Sequence, residues 1–256
     1  MSKVIERIKK RVLHEQNSFQ CMVLGATGTG KSFAALRFCE ILDPTFNVER
    51  VVFTPEDFME LVGRLEAGQA ILCDEIGSWL SGRDWQTVIN KLMGIVLETY
   101  RFKRLIVFWT VPHQRMVDIN LRGLCHATIE TIAIDRSTNK SMIKFKYRTT
   151  NPMTGAIYER FPVTRGERGK LILRKIFVNR PSSYLEEAYL KKKEEHMEVV
   201  YEDIKRNIQE HNGSQEETQK EKNAFCECGN AWHYSGKYKY ATCPSCRTKV
   251  KVTTIP

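Results

Sequence analysis

The chain lacks any long hydrophobic run. Across its 256 residues the longest apolar stretch, 105–111, falls far short of the roughly 20 residues that a membrane-spanning helix requires. Residues 1–20 are charged where a secretory leader would carry an apolar core, so the expectation is an intracellular, cytoplasmic protein with no membrane span. Disulfide pairing has little to work with over most of the length. Cys21, Cys39, Cys73 and Cys125 stand singly among apolar neighbours and read as buried thiols. Internal repeats at solenoid periods are also absent.

Negative charge is scarce as well. The 40 Lys and Arg outnumber the 30 Asp and Glu, giving a net charge of +10 and a pI near 9.2. Such a balance favours a polyanionic partner and says nothing of fold. Residues 181–224 run the other way, with seven Lys/Arg against eleven Asp/Glu, so the positive surplus sits in the first 180 residues and in the tail.

What is present is an alternation of strand and helix signals. Residues 3–14 place Val4, Ile5, Ile8, Val12 and Leu13 on one side of a helix that packs on the edge of the main domain. An apolar strand at 20–24 runs into a glycine loop, and Phe33, Leu36, Phe38, Cys39 and Leu42 mark the helix that follows. A strand at 51–53 precedes a helix with Thr54 at its N-cap, Pro55 in its first turn and Gly68 closing it. A buried strand at 70–73 ends in Asp74-Glu75, a turn at Ser81-Gly82 opens a helix over 84–100, and another buried strand covers 105–109. With no hairpin turns between them, these elements predict an α/β fold with a central parallel sheet covered on both faces.

From residue 127 the pattern changes to strands at 128–134, 142–148, 156–163 and 171–177, joined by turn-rich links. That reads as an antiparallel extension, or as the far edge of the sheet with a protruding hairpin. The expected organisation is a main domain over 1–180, a charged helix over 181–211, a flexible linker over 212–224 and a small module over 225–256.

The loop after the first strand reads Gly25-Ala26-Thr27-Gly28-Thr29-Gly30-Lys31-Ser32. Between a buried strand and a helix, successive N–H groups and the positive helix end point into one phosphate-sized hollow, and the glycines permit close approach. Lys31 would reach the β- and γ-phosphates of ATP, and the Ser32 hydroxyl would join the Mg²⁺ shell. Asp74 is placed to hold Mg²⁺ through water, and Glu75 to act as general base on the attacking water. Thr110, at the tip of the next strand, is a candidate sensor of the γ-phosphate or that water. Arg83, Arg101, Arg104, Arg115 and Arg122 lie on links around this edge. Arg101 and Arg122 are the preferred candidates for a finger reaching a neighbouring subunit, with surface or DNA contact as the alternative.

The order of P-loop strand, intervening strand, Asp-Glu strand and polar-tipped strand resembles the additional-strand, catalytic-glutamate class of P-loop NTPases. Within it, TPEDF at 54–58, CDEIG at 73–77, ETYRFKR at 98–104 before VFWT, and the run from Asp118 to Arg122 resemble the FtsK/HerA superfamily, in particular its zonular-occludens-toxin-like and viral genome-packaging branches. The resemblance spans roughly residues 20–135. It implies ATP hydrolysis with Mg²⁺, homo-oligomers such as a hexameric ring, DNA translocation or packaging, and a capsid or membrane protein as partner. Thr110 stands where a glutamine is usual, with Gln114 displaced, so the sub-branch is open. A nucleotide-switched adaptor, such as a helicase loader or virion-assembly factor, is the alternative. A small-molecule kinase lacks its lid and acceptor signals here.

Cys226 and Cys228, then Cys243 and Cys246, give four thiolates on two knuckles, a Zn²⁺ ligand set on a module too small to fold on its own core. The first knuckle is one residue short, so His233 could replace one thiolate; a redox pair or disulfides are the other readings. The segment resembles the short zinc ribbons of archaeal and archaeal-virus proteins, which implies such a source and, if viral, a host cytoplasm. Trp232, Tyr234, Tyr238 and Tyr240 interleave with Lys237 and Lys239, suiting nucleic-acid or protein docking or the filling of a small core. Finally, a period of two over 143–148 sends Lys144, Lys146 and Arg148 to one face, either a track for a DNA backbone or a solvated sheet face.

Overall fold

The computed structural model describes residues 1–76, 100–117, 119–166, 169–217, 222–234 and 238–254. The helix expected at 84–100, its Ser81-Gly82 turn, Arg83 and Lys237 lie outside the described residues. The chain divides into two compact units, Met1–Glu194 and Glu195–Pro256. No described helix is long and apolar enough to cross a membrane.

In the first unit α1 (Ser2–Lys9) runs into a wide π-type turn at Lys10–His14 and lays Val4, Ile5, Ile8 and Val12 into the core. Then come β1 (Phe19–Leu24), α2 (Lys31–Leu42), β2 (Val51–Val52), α3 (Pro55–Arg64), β3 (Ala70–Cys73) and β4 (Ile106–Val111). The Thr54 hydroxyl accepts the Asp57 N–H, so the expected cap forms, but α3 ends at Arg64 and Gly68 lies four residues beyond it. After α4 (Ile119–Leu124) follow β5 (Ala127–Asp135), β6 (Lys140–Thr150), β7 (Ile157–Arg160), β8 (Val163–Gly166), β9 (Gly169–Ile172) and β10 (Ile176–Val178).

The main sheet runs β10-β6-β5-β1-β4-β3-β2, with β7 also paired to β6. Its β5-β1-β4-β3-β2 half is parallel, and β6, β7 and β10 pair antiparallel. One apolar cluster joins Cys21, Val23, Leu72, Phe108, Ile129 and Phe145 to α1 and α2; a second joins Met22, Ile71, Val107 and Trp109 to α3. Burial on both faces is why β1, β3 and β4 read as nearly continuous apolar runs, interrupted only by Gln20 and Thr110.

The antiparallel half departs from the sequence reading. The single strand expected at 156–163 breaks before Val163, where Pro162 has no N–H to give a ladder. The strand expected at 171–177 also splits, because the Leu173 N–H turns to the Pro162 carbonyl at 2.8 Å. The pieces between form a separate hairpin, β8-β9.

The boundary between the units falls within α5 (Ser183–Glu217). This helix passes the expected end at 211, and β11 (Lys222–Phe225) starts inside the stretch read as linker. With β12 (Ala231–Tyr234), β13 (Tyr240–Thr242) and β14 (Lys249–Thr254) it makes an antiparallel sheet in the order β12-β11-β14-β13.

Candidate active site

Parallel strands bring their C-terminal ends to one edge, and the chemistry-bearing residues sit there. Thr110 pairs with Val23 of β1, and Trp109 with Cys73 of β3, so Thr110 stands level with Asp74 and two residues below the start of the glycine loop. β4 is the strand placed between the loop-bearing β1 and the Asp74-bearing β3.

Close packing shapes the loop itself. Gly25 has φ 151°, and a Cβ there would lie 2.1 Å from Thr131 Oγ1 and 2.8 Å from the Thr131 carbonyl. Gly30 caps α2 in the left-handed region at φ 82°. Thr29 Oγ1 lies 2.7 Å from both the Ala26 carbonyl and Thr131 Oγ1, tying the loop to β5. Lys31 reaches back across the loop and donates to the Ala26 carbonyl at 3.0 Å. Over the loop opens a cavity of about 580 Å³ whose lining includes Lys31, Ser32, Glu75, Thr110, Tyr189 and Lys193.

Asp74 is fully buried yet well served with donors. Its Oδ1 accepts from Ser32 Oγ at 2.8 Å and from Thr110 Oγ1 at 2.6 Å, and its Oδ2 accepts from Tyr189 Oη at 2.7 Å. Ser32 and Asp74 thus present hard oxygen ligands side by side, a donor set suited to Mg²⁺. The Thr110 hydroxyl also accepts the Glu75 N–H at 2.8 Å. Fully buried, it bonds the Asp74 carboxylate and the Glu75 backbone at once, and it also lines the cavity at the place where a γ-phosphate sensor was expected. Glu75 itself adopts φ 54°, a left-handed backbone uncommon for a side chain of its size.

Thr110→Val keeps the volume and removes both bonds. Loss of a hydrogen bond to a buried carboxylate is expected to lower the unfolding free energy by about 1.5–3 kcal/mol, read from the urea midpoint.

Two residues at this site were not among those singled out in the sequence. Lys193 Nζ lies 2.6 Å from Glu75 Oε1 and 3.5 Å from Asp74 Oδ2, and Tyr189 Oη sits beside it. Both come from the first turns of α5, where Leu185 and Tyr189 are buried and Tyr189 packs on Phe33 and Phe53. The signal was the apolar density of SYLEEAYL ahead of KKKEE. Burial works against the Lys193 charge, yet Asp74 and Glu75 hold its pKa above the ordinary lysine value. Burial pulls that of Lys31 down, with Lys193 adding to the effect and the two carboxylates opposing it. Burial, then the charge of Asp74, pushes the Tyr189 phenol up, so it remains a donor.

The two preferred arginines fall elsewhere, while Arg115 follows β4 in the turn Gln114–Met116. Arg101 belongs to the turn Tyr100–Lys103 before β4, at the N-terminal edge of the parallel strands. Six residues of β4 separate that edge from the loop edge, roughly 20 Å, so Arg101 cannot serve its own chain's site. Arg122, on α4, lines a different cavity.

In the second unit the Sγ atoms of Cys226, Cys228, Cys243 and Cys246 all lie within 4.8 Å of one another. The Cys226–Cys246 and Cys228–Cys243 separations are 3.4 and 3.7 Å, too long for disulfides and close to the ~3.8 Å edge of a tetrahedron of thiolates at about 2.3 Å from Zn²⁺. Cys226 and Cys228 share one tight turn and Cys243 and Cys246 another, closed by the Gly229 N–H to the Cys226 carbonyl and the Arg247 N–H to the Cys243 carbonyl. His233 is not part of the cluster among the described residues; it lies on β12 opposite Asn223.

No family model matches the sequence, and no curated protein matches it. Among solved structures, the N-terminal domain of zonular occludens toxin from Neisseria meningitidis is 15% identical, covering 56% of this chain and 93% of that one, with a TM-score of 0.36. A RuvB variant from Thermotoga maritima is 18% identical over 50% of this chain and 42% of that one, with a TM-score of 0.38. A KaiC-like protein from Pyrococcus horikoshii is 11% identical over 61% of this chain and 89% of that one, with a TM-score of 0.36. At these values the functional reading rests on the geometry of the chain's own site.

Proposed function

We propose that the chain is an ATP-hydrolysing DNA motor of the FtsK/HerA type, working as a ring of like subunits in DNA translocation or packaging. The observation that carries the reading is the gathering of Ser32, Asp74, Glu75 and Thr110 at the mouth of the glycine loop. Backbone N–H groups of residues 28–32 and the Lys31 ammonium cradle the phosphates, while Ser32 and Asp74 hold Mg²⁺. The bound Mg²⁺ supplies charge neutralisation across the phosphates. Glu75 takes a proton from water as the water oxygen bonds to the γ-phosphorus, and the bond to the β,γ-bridging oxygen breaks to release ADP.

DNA as partner is supported by the β8-β9 hairpin. Arg165 and Lys170 are exposed and directly opposite each other, a like-charge pair that is unfavourable alone and relieved by a polyanion. No carboxylate among the described residues pairs with them. Exposed Tyr238 and Tyr240 offer the second unit a docking face for nucleic acid or protein. With Arg122 lining the second cavity, a finger reaching the neighbouring subunit is left to Arg101.

ATP turnover measured against added double- and single-stranded DNA tests the reading. DNA is expected to raise the rate, and sizing with ATP to show a ring; a monomer with DNA-independent turnover defeats it. The second reading, a nucleotide-switched adaptor, is favoured by the Lys193–Glu75 pair, in which an ammonium holds one oxygen of the carboxylate proposed as base. Slow single-cycle turnover with no ring would select it.

A further inference from the structure

A second cavity, of about 680 Å³, lies on the sheet face that carries Met22 and Leu24, away from α2. Cross-strand pairing assembles its floor: Thr128 faces Lys146, Glu130 faces Lys144, and Arg148 faces Glu159. The face expected to be either a track for a DNA backbone or a solvated sheet face is therefore not a row of unpaired cations. Lys144 donates to Glu130 and Lys146 to Glu159, each at 2.9 Å. Glu159 is shared more distantly with Arg148, at 3.7 Å, so the two carboxylates of the lining face four cations and leave a surplus of two positive charges, nearest the guanidinium groups of Arg148 and Arg122.

Arg148 is only 8% exposed, and neither its Nε nor its Nη1 has a hydrogen-bond partner; the nearest carboxylate oxygen to Nε, on Glu159, is 3.7 Å away. Arg122 Nε and Thr128 Oγ1 are likewise buried without partners. Burying a guanidinium with idle donors is costly, and such groups are retained where a ligand completes them. We propose that this cavity is a second anion site, distinct from the glycine loop, that takes the terminal phosphate of a phosphomonoester between Arg122 and Arg148. The two surplus positive charges match a phosphomonoester, which carries about −1.5 to −2 near neutral pH, better than a carboxylate or a phosphodiester. A guanidinium fork fits phosphate oxygens in pairs, and the volume admits the organic part attached to the phosphate. The wall opposite is formed by Leu24-Gly25 and Pro112, where the Gly25 N–H bonds the Pro112 carbonyl at 3.2 Å, so the ligand rests against the root of the phosphate loop.

The test uses the full chain carrying Lys31→Ala, to weaken phosphate binding at the glycine loop, and inorganic phosphate as probe in calorimetry and thermal unfolding. Phosphate is expected to bind and to raise the unfolding temperature. Adding Arg148→Met is expected to weaken binding by roughly 10- to 100-fold and to leave phosphate-free stability nearly unchanged, since buried donors without hydrogen-bond partners are removed along with a long ion pair to Glu159, which Lys146 still holds. Arg122→Met, at a half-buried position, serves as the second variant and is expected to weaken binding likewise. Phosphate binding indifferent to both substitutions, or absent from the Lys31→Ala chain, overturns the site. Competition by a 5′-phosphorylated trinucleotide but not by its 5′-hydroxyl form assigns the phosphate to a nucleic-acid end; competition by AMP alone assigns it to a small molecule. Competition by neither reduces the site to an adventitious ion only and overturns the proposal.

Discussion

Glu75→Gln is expected to slow ATP turnover by roughly 10²- to 10⁴-fold, the usual contribution of a positioned general base, while ATP still binds. Glutamine keeps the length of the side chain and an oxygen that can accept from Lys193, which now lies 2.6 Å from Glu75 Oε1. The Glu75 N–H held by Thr110 belongs to the backbone and survives the change. What is lost is basicity, and with it the removal of a proton from the attacking water. Binding depends on other groups, Lys31, Ser32 and Asp74, none of which the substitution touches. Phosphate release under saturating ATP, together with a fluorescent-nucleotide titration, separates the two effects. Unchanged turnover moves the base to another residue, and lost binding makes Glu75 part of the nucleotide cradle.

The placing of the candidate site at one sheet edge was legible in the sequence because its signals are local. The glycine string, the apolar run ending in Asp74-Glu75 and the run ending in Thr110 each announce a strand end, and parallel topology then brings the ends together. The role of Thr110 was not legible, since a strand-tip hydroxyl facing outward or toward Asp74 has the same sequence. Tyr189 and Lys193 were missed because a helix with only two residues buried near its start is diluted by the charged turns that follow. Arg148 shows the same limit in the sheet. A period of two put Lys144, Lys146 and Arg148 on one face correctly, but it could not tell that Glu130 and Glu159 neutralise the first two and that the third is buried.

The four gathered thiols are suited to zinc; with zinc held there, its removal is expected to unfold the strands of the second unit and to leave the proposed ATP binding of the first unchanged. The buried apolar set that the described part of this unit contributes is Ala224, Cys226, Ala241 and Cys243, two alanines and two of the ligands themselves. Phe225, Tyr238 and Tyr240 are each more than half exposed, so these aromatic side chains do not fill a core. At ~25 cal/mol per Å² such burial offsets little of the conformational entropy of about 1–2 kcal/mol per ordered residue. Structural zinc contributes apparent binding energies of about 10–16 kcal/mol near neutral pH, enough to close the gap. Titration of the full chain with a chelator, followed by amide dispersion for residues 222–254 and by zinc release, is expected to show one loss of fold matching one equivalent of metal. Cys243→Ser, which removes a fully buried ligand, is expected to give the same collapse without chelator. Strand signals that outlast the metal would mean that this unit stands on its β11-β14 ladder alone, and that the four thiols are gathered for a purpose other than folding.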